Sequence, residues 1–149
     1  MHPKAIFVDT WGWIAPGCRR DPHHDEVKRF YQKVRHQRVP IYTSDYVLDE
    51  VVTLVFRREH FDAAVRFIEG ILAASALGHV RIERVTPDRF LATWNLRKHF
   101  QDKPRISFTD LTSMVIMDER SISQVLTADE HFVQVGMGFS RVPQMTKST

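Results

Sequence analysis

Four acidic side chains stand where this chain makes a carboxylate costly. Asp9 closes the apolar run Ile6-Phe-Val, and Glu50 sits in Val47-Leu-Asp-Glu-Val51. Asp110 follows Ser107-Phe-Thr, and Asp129 lies within Leu126-Thr-Ala-Asp-Glu-His-Phe132. Each ends an apolar segment or interrupts an apolar stripe, so each belongs at the edge of the core, where an ionised group needs a positive partner. Gathered together they would form an oxygen-rich cage for a hard divalent cation. Mg²⁺ takes such oxygens at about 2.0–2.1 Å and keeps several waters. Two unit charges about 4 Å apart interact by roughly 4 kcal/mol at an effective dielectric near 20. Without a cation, some members of the cluster should therefore bind protons. The chemistry such a centre points to is metal-dependent phosphoryl chemistry.

Each acid also has an ordinary explanation. Asp9 could simply end a strand and cap the next turn. Asp110 completes Ser107-x-x-Asp110, the pattern of a helix capping box, although an acid at a helix N-terminus can cap and bind a ligand at once. Thr127 and Asp129 fit an ordinary turn. Glu50 is more pointed, because Val47, Val51, Leu54 and Val55 make one helical stripe and Glu50 interrupts it, while Asp49 faces elsewhere. The order of the four carries more than any one of them.

The elements that must position these acids alternate between strand and helix. Residues 5–9 form an apolar run too short for a helix and suited to a buried strand. Helical spacing over 25–37 precedes a strand at 39–43, with Pro40 at its start. Ser44 and Asp45 open a helix to about residue 58, and a second apolar helix covers 61–77, with Gly78 at its C′ position. A strand at 80–85 leads to Thr86-Pro87, a cap followed by Pro at the first helical position, and a helix to about 100. After the polar loop 101–105, a helix over 108–119 precedes a strand at 124–127, a short helix at 128–135 and a last strand at 139–142. Such alternation implies a parallel sheet covered by helices on both faces. Ligands then gather beyond the carboxyl ends of the strands, the edge that Asp9 and Asp129 share.

The 149 residues are expected to form one domain, 1–143, followed by a flexible tail at 144–149. A 43% hydrophobic content with ten Phe and three Trp supplies a core, and 26% charged residues argue against disorder. No apolar run reaches about 18 residues, so no membrane span is expected. The N-terminus has no signal-peptide shape, and Cys18 is the only cysteine, which suits a reducing cytoplasm. The net charge of +3 is a mild lean towards polyanions. Four acids confined to one site would leave the remaining surface more basic than that figure.

In this order, Asp9-Thr10 after a first strand, Glu50 on an early helix, Asp110 opening a later one and Thr127-Ala-Asp129 before Phe132 resemble the PIN domain. This is the metal-dependent nuclease domain of VapC-type toxins and RNA-processing factors. The similarity spans residues 5 to about 143. It implies a three-layer α/β/α fold with a central parallel sheet of four or five strands. It also implies a ribonuclease using Mg²⁺ or Mn²⁺, with an RNA substrate, a small antitoxin partner and a homodimeric state. Asp9, Glu50, Asp110 and Asp129 become the expected catalytic and metal-binding residues, Asp129 the least constant. Thr10, Thr127, Lys103 and Arg105 become the substrate contacts, with Arg19 and Arg20 weaker candidates. Trp11 and Trp13 either stack bases or pack against the sheet, and packing is the default reading. The scattered histidines show no zinc-ligand spacing. Two rival readings are a PIN-like module that binds without cutting and a haloacid-dehalogenase-type phosphatase. The latter needs a second acid where Trp11 stands.

Overall fold

The computed structural model describes residues 5–144. Of the expected tail, only Gln144 falls within that range. Five strands, β1 (Ile6–Val8), β2 (Ile41–Ser44), β3 (Val80–Glu83), β4 (Gln124–Leu126) and β5 (Ser140–Val142), form one sheet in the order β3-β2-β1-β4-β5. Every neighbouring pair is parallel, with Ile6 opposite both Ile41 and Gln124. The sheet therefore has five strands. The central strands are short and buried throughout, as strands covered on both faces must be, and Ile6, Phe7 and Val8 are fully inaccessible.

Seven α-helices connect and cover these strands among the described residues: α1 (Thr10–Ile14), α2 (His24–His36), α3 (Asp45–Arg58), α4 (Phe61–Ala76), α5 (Pro87–His99), α6 (Phe108–Glu119) and α7 (His131–Gln134). Their starts follow the capping chemistry in the sequence. Ser44, Thr86 and Ser107 each accept a bond from a backbone N–H three residues on. Gly78, at φ +82°, ends α4, with the His79 N–H bonded back to Ala74. Helix α6 packs against α3 and α5 and buries Leu111, Met114, Ile116 and Met117. Full burial of one such side chain stabilises by roughly 1.5–3 kcal/mol. Its buried Thr112 and Ser113 hydroxyls both donate to the Thr109 carbonyl, so neither is left unsatisfied.

The expected strands at 39–43, 80–85 and 124–127 shift or shorten by one or two residues, and the short helix expected at 128–135 contracts to α7. The sequence reading contains no helix at 10–14. A 3₁₀ turn at Ala15–Gly17 also lies outside it.

The strand order reverses direction at β1. The chain steps from β1 to β2 and β3 on one side, then returns to place β4 and β5 on the other. Adjacent loops beyond β1 and β4 thus diverge and open a crevice, the place where open parallel sheets bind ligands. Asp9 follows β1 directly, and Asp129 follows β4 by three residues.

Candidate metal centre

Asp9 is only 5% exposed, and both its oxygens are held. Its Oδ1 accepts the Gly12 N–H at 2.9 Å, so the residue caps α1. Its Oδ2 accepts the Thr127 hydroxyl, which in turn accepts the Asp129 N–H at 3.0 Å. One hydroxyl thereby ties the end of β1 to the loop beyond β4. The capping reading and the ligand reading of Asp9 are compatible, because the bonds orient the carboxylate without covering it. Gly12 makes this geometry feasible: a Cβ there would lie 2.4 Å from the Leu126 carbonyl oxygen, so only glycine lets α1 pass so close to β4.

Glu50 projects from α3, and its Oε2 accepts the Thr10 hydroxyl at 2.8 Å. Asp110 opens α6, where its N–H is capped by Ser107 Oγ at 3.0 Å. No reciprocal bond runs from the Asp110 carboxylate to Ser107, so that carboxylate remains available to the crevice. Asp129 Oδ1 accepts the His131 N–H at 2.8 Å. Ligand atoms of Asp110, Asp129 and His131 all lie within 4.8 Å of one another. The His131 Nδ1 approaches Asp129 Oδ1 to 3.0 Å but at an angle that makes no hydrogen bond, which leaves it buried without a partner. The sequence reading passed over His131, since a lone histidine beside an acid carries no spacing signal.

The electrostatics of the cluster favour a positive charge among these acids. Burial, opposed by bonds from Thr127 and Gly12 and reinforced by repulsion from Asp129 and Glu50, raises the Asp9 carboxyl from 3.8 to about 7. Burial likewise raises Asp110 to about 8, helped by a shared hydrogen bond with Asp129 and by repulsion from Asp9, Asp129 and Glu50. Among the described residues, no lysine or arginine forms an ion pair with any of the four acids. The donor set is almost wholly oxygen, which suits Mg²⁺ or Mn²⁺. Asp9, Glu50, Asp110 and Asp129 are the residues that could hold such an ion.

Asp9, Thr10, Glu50, Asp110 and Asp129 line one open cavity of about 590 Å³. Thr127 sits beneath it, fully buried. Neither Lys103 nor Arg105 reaches this cavity. Lys103 is paired with Asp102 at 2.6 Å and Arg105 is exposed. Their loop is drawn towards Arg97 instead, whose guanidinium donates to the carbonyls of Phe100 and Lys103 at 2.7 Å and of Ile106 at 2.8 Å. The cations at the cavity are Arg20 and Arg58, while Arg19 does not line it. The two tryptophans part company. Trp13 is buried, donates to Thr43 Oγ1 at 3.0 Å and meets Tyr31 edge-on. Trp11 lines the cavity and donates to Asp21 at 3.0 Å.

A family model described as PIN domain matches residues 6–137, a span that includes all four acids. The sarcin–ricin loop cleaving toxin VapC20 of Mycobacterium tuberculosis is similar in structure, with a TM-score of 0.75 and 32% identity over 89% of this chain and 95% of that one. PAE2754 from Pyrobaculum aerophilum shares the fold, with a TM-score of 0.61 and 15% identity over 93% of this chain and 83% of that one. No curated protein matches the chain. A parallel sheet that turns at β1, four acids converging beyond its carboxyl edge and a family match across almost all of it lead to one conclusion: the chain belongs to the PIN domain family.

Proposed function

We propose that this protein is a VapC-type ribonuclease toxin that hydrolyses RNA phosphodiester bonds with Mg²⁺ or Mn²⁺. The observation that carries this reading is a crevice where four carboxylates converge and where, among the described residues, no lysine or arginine pairs with any of them, two of the acids being pushed towards neutral pH. Asp9, Glu50, Asp110 and Asp129 would hold the divalent ion, which would supply an acidified water and Lewis-acid stabilisation of phosphoryl charge. The protein's own part is positioning. Thr127 and Gly12 fix both oxygens of Asp9, Thr10 fixes Glu50, and the start of α6 presents Asp110. Asp110 and Asp129 lie close enough for one ion to meet both. Arg20 and Arg58 at the cavity are suited to phosphate contact. Thr10 is suited to hold a phosphate or a water beside Glu50.

A non-cutting RNA-binding module is disfavoured because all four acids converge. The phosphatase alternative is disfavoured because the required second acid is replaced by Trp11, which is engaged with Asp21. The similar sarcin–ricin loop cleaving toxin supports an RNA substrate, and a small antitoxin partner goes with the VapC-type reading. Among the described residues no helix is long and apolar enough to cross a membrane, and a single cysteine suits a cytoplasmic setting. Self-association is supported by Phe90, Leu91 and Trp94, exposed together on α5. The deciding experiment is RNA cleavage with and without Mn²⁺ by wild type, Asp9→Asn and Asp110→Asn, each checked for folding by circular dichroism. Cleavage that needs Mn²⁺ and disappears in both folded variants is expected. Undiminished metal-dependent cleavage in both would remove these residues from the mechanism.

A further inference from the structure

At the amino edge of the sheet, opposite the acidic crevice, lies a second concavity of about 750 Å³. Arg35, His36 and Arg38 from the end of α2 contribute to it, as do His79 and Arg81 around the start of β3, and no acidic residue lines it. Two of the guanidinium groups are held by tyrosines and not by carboxylates. Arg81 donates to the Tyr42 hydroxyl at 2.8 Å and lies over its ring, and Arg35 does the same with Tyr31 at 3.3 Å. Among the described residues none of the three arginines forms an ion pair. They are thus oriented without being neutralised.

Ordinary explanations cover single members. Arg35 and His36 suit the negative end of α2, and a charged side chain on the edge strand β3 discourages pairing with another sheet. Neither explains three unpaired guanidinium groups around one hollow. Arg38 also stands where a side chain is disfavoured. It occupies the C′ position of α2 at φ +57°, with the Val39 N–H bonded to Val34 and its own to Arg35, a place glycine fills more comfortably. Gly78 fills the equivalent place after α4.

We propose that this surface is a second contact for the RNA phosphate backbone, and that the favoured substrate is a folded RNA large enough to reach it from the crevice. The proposal rests on the ribonuclease reading. Guanidinium groups bind phosphates through paired N–H donors. With strands of three or four residues at about 3.3 Å each, the two edges of the sheet are on the order of 10–13 Å apart. A hairpin seated at the acids extends past that distance along the flank of the sheet, whereas a tetranucleotide does not.

The test compares wild type with Arg38→Gly, Arg81→Gln and the double variant. Binding of a fluorescent RNA hairpin is followed by anisotropy in EDTA across KCl concentrations, and cleavage of a tetranucleotide is followed in Mn²⁺. The double variant should lose about tenfold in hairpin affinity, and its salt dependence should weaken by about 1.5 in log–log slope, as expected for two lost phosphate contacts. Tetranucleotide cleavage should not change. Arg38→Gly alone should raise Tm by about 2–4 °C while weakening hairpin binding, a pair of opposite effects that a purely structural role cannot give. Unchanged hairpin affinity and slope overturn the proposal, also if the variants lose affinity for polyglutamate, which would mark the surface as a protein-docking one. Should the double variant not fold, Arg38→Gly decides alone. Salt-dependent hairpin binding without any cleavage by wild type would instead sink the ribonuclease reading and leave this surface standing.

Discussion

Replacing Asp9 by Asn should stabilise the metal-free protein at alkaline pH. The unfolded chain releases this proton near 3.8, whereas the folded chain holds it to about 7, chiefly because the carboxyl is buried. Between those values the folded state binds the extra proton, so stability falls as pH rises, and the full cost is present above about 7. Moving a carboxyl from 3.8 to about 7 corresponds to about 4 kcal/mol. Asparagine removes the charge but presents an amide to either Gly12 or Thr127 in place of one carboxylate oxygen, which costs about 1 kcal/mol. The variant should therefore be more stable than wild type by about 3 kcal/mol at pH 8 in EDTA, and less stable by about 1 kcal/mol near pH 4. Urea unfolding across that pH range measures both. Mn²⁺ at about one hundred times its dissociation constant should then raise the wild type by about 2.7 kcal/mol and narrow the gap at pH 8. A difference that stays flat with pH, or a variant that is weaker at pH 8, would refute the claim that burial opposes ionisation of this carboxyl.

Three further outcomes are expected. Thr127→Val, nearly equal in volume, leaves Asp9 Oδ2 and the Asp129 N–H without their partner, and should cost about 2–4 kcal/mol in thermal unfolding while reducing cleavage sharply. Thr127→Ser should recover most of both. Gly12→Ala drives a methyl into the Leu126 carbonyl oxygen, so a loss of about 1–3 kcal/mol or more is expected by chemical denaturation, with α1 and the Asp9 cap displaced. Arg58→Gln and Arg20→Gln should raise KM for a short RNA more than they lower kcat, because both side chains lie at the cavity and not on the acids.

The alternation of strands and helices was legible because parallel strands buried on both faces appear as short apolar runs, and the capping residues Ser44, Thr86 and Ser107 act through local backbone geometry. Glu50 was legible for a similar reason, as a charge set into an otherwise apolar helical stripe. What escaped depends on contacts distant in sequence. Helix α1 is five residues of Thr-Trp-Gly-Trp-Ile, with no stripe to detect, and it exists because Asp9 caps it and Gly12 lets it lie against β4. The phosphate contacts expected at Lys103 and Arg105 rested on local charge, but Asp102 pairs with the first, Arg97 ties down their loop, and neither side chain lines the cavity. Arg20 and Arg58, separated by 38 positions, line one cavity because α3 packs against α1. Trp11 and Trp13 look alike in sequence and differ because α1 turns one towards Tyr31 and the other towards Asp21.

The Arg97 clasp changes what the segment before α6 is mechanically. Three carbonyls converge on one guanidinium, so this stretch of exposed, basic chain belongs to the scaffold despite having no helix or strand of its own. A protease must peel a segment away from its support before cutting it. The bond after Arg105, inviting to trypsin on paper, should therefore resist cleavage until the contacts of a side chain eight residues earlier are broken.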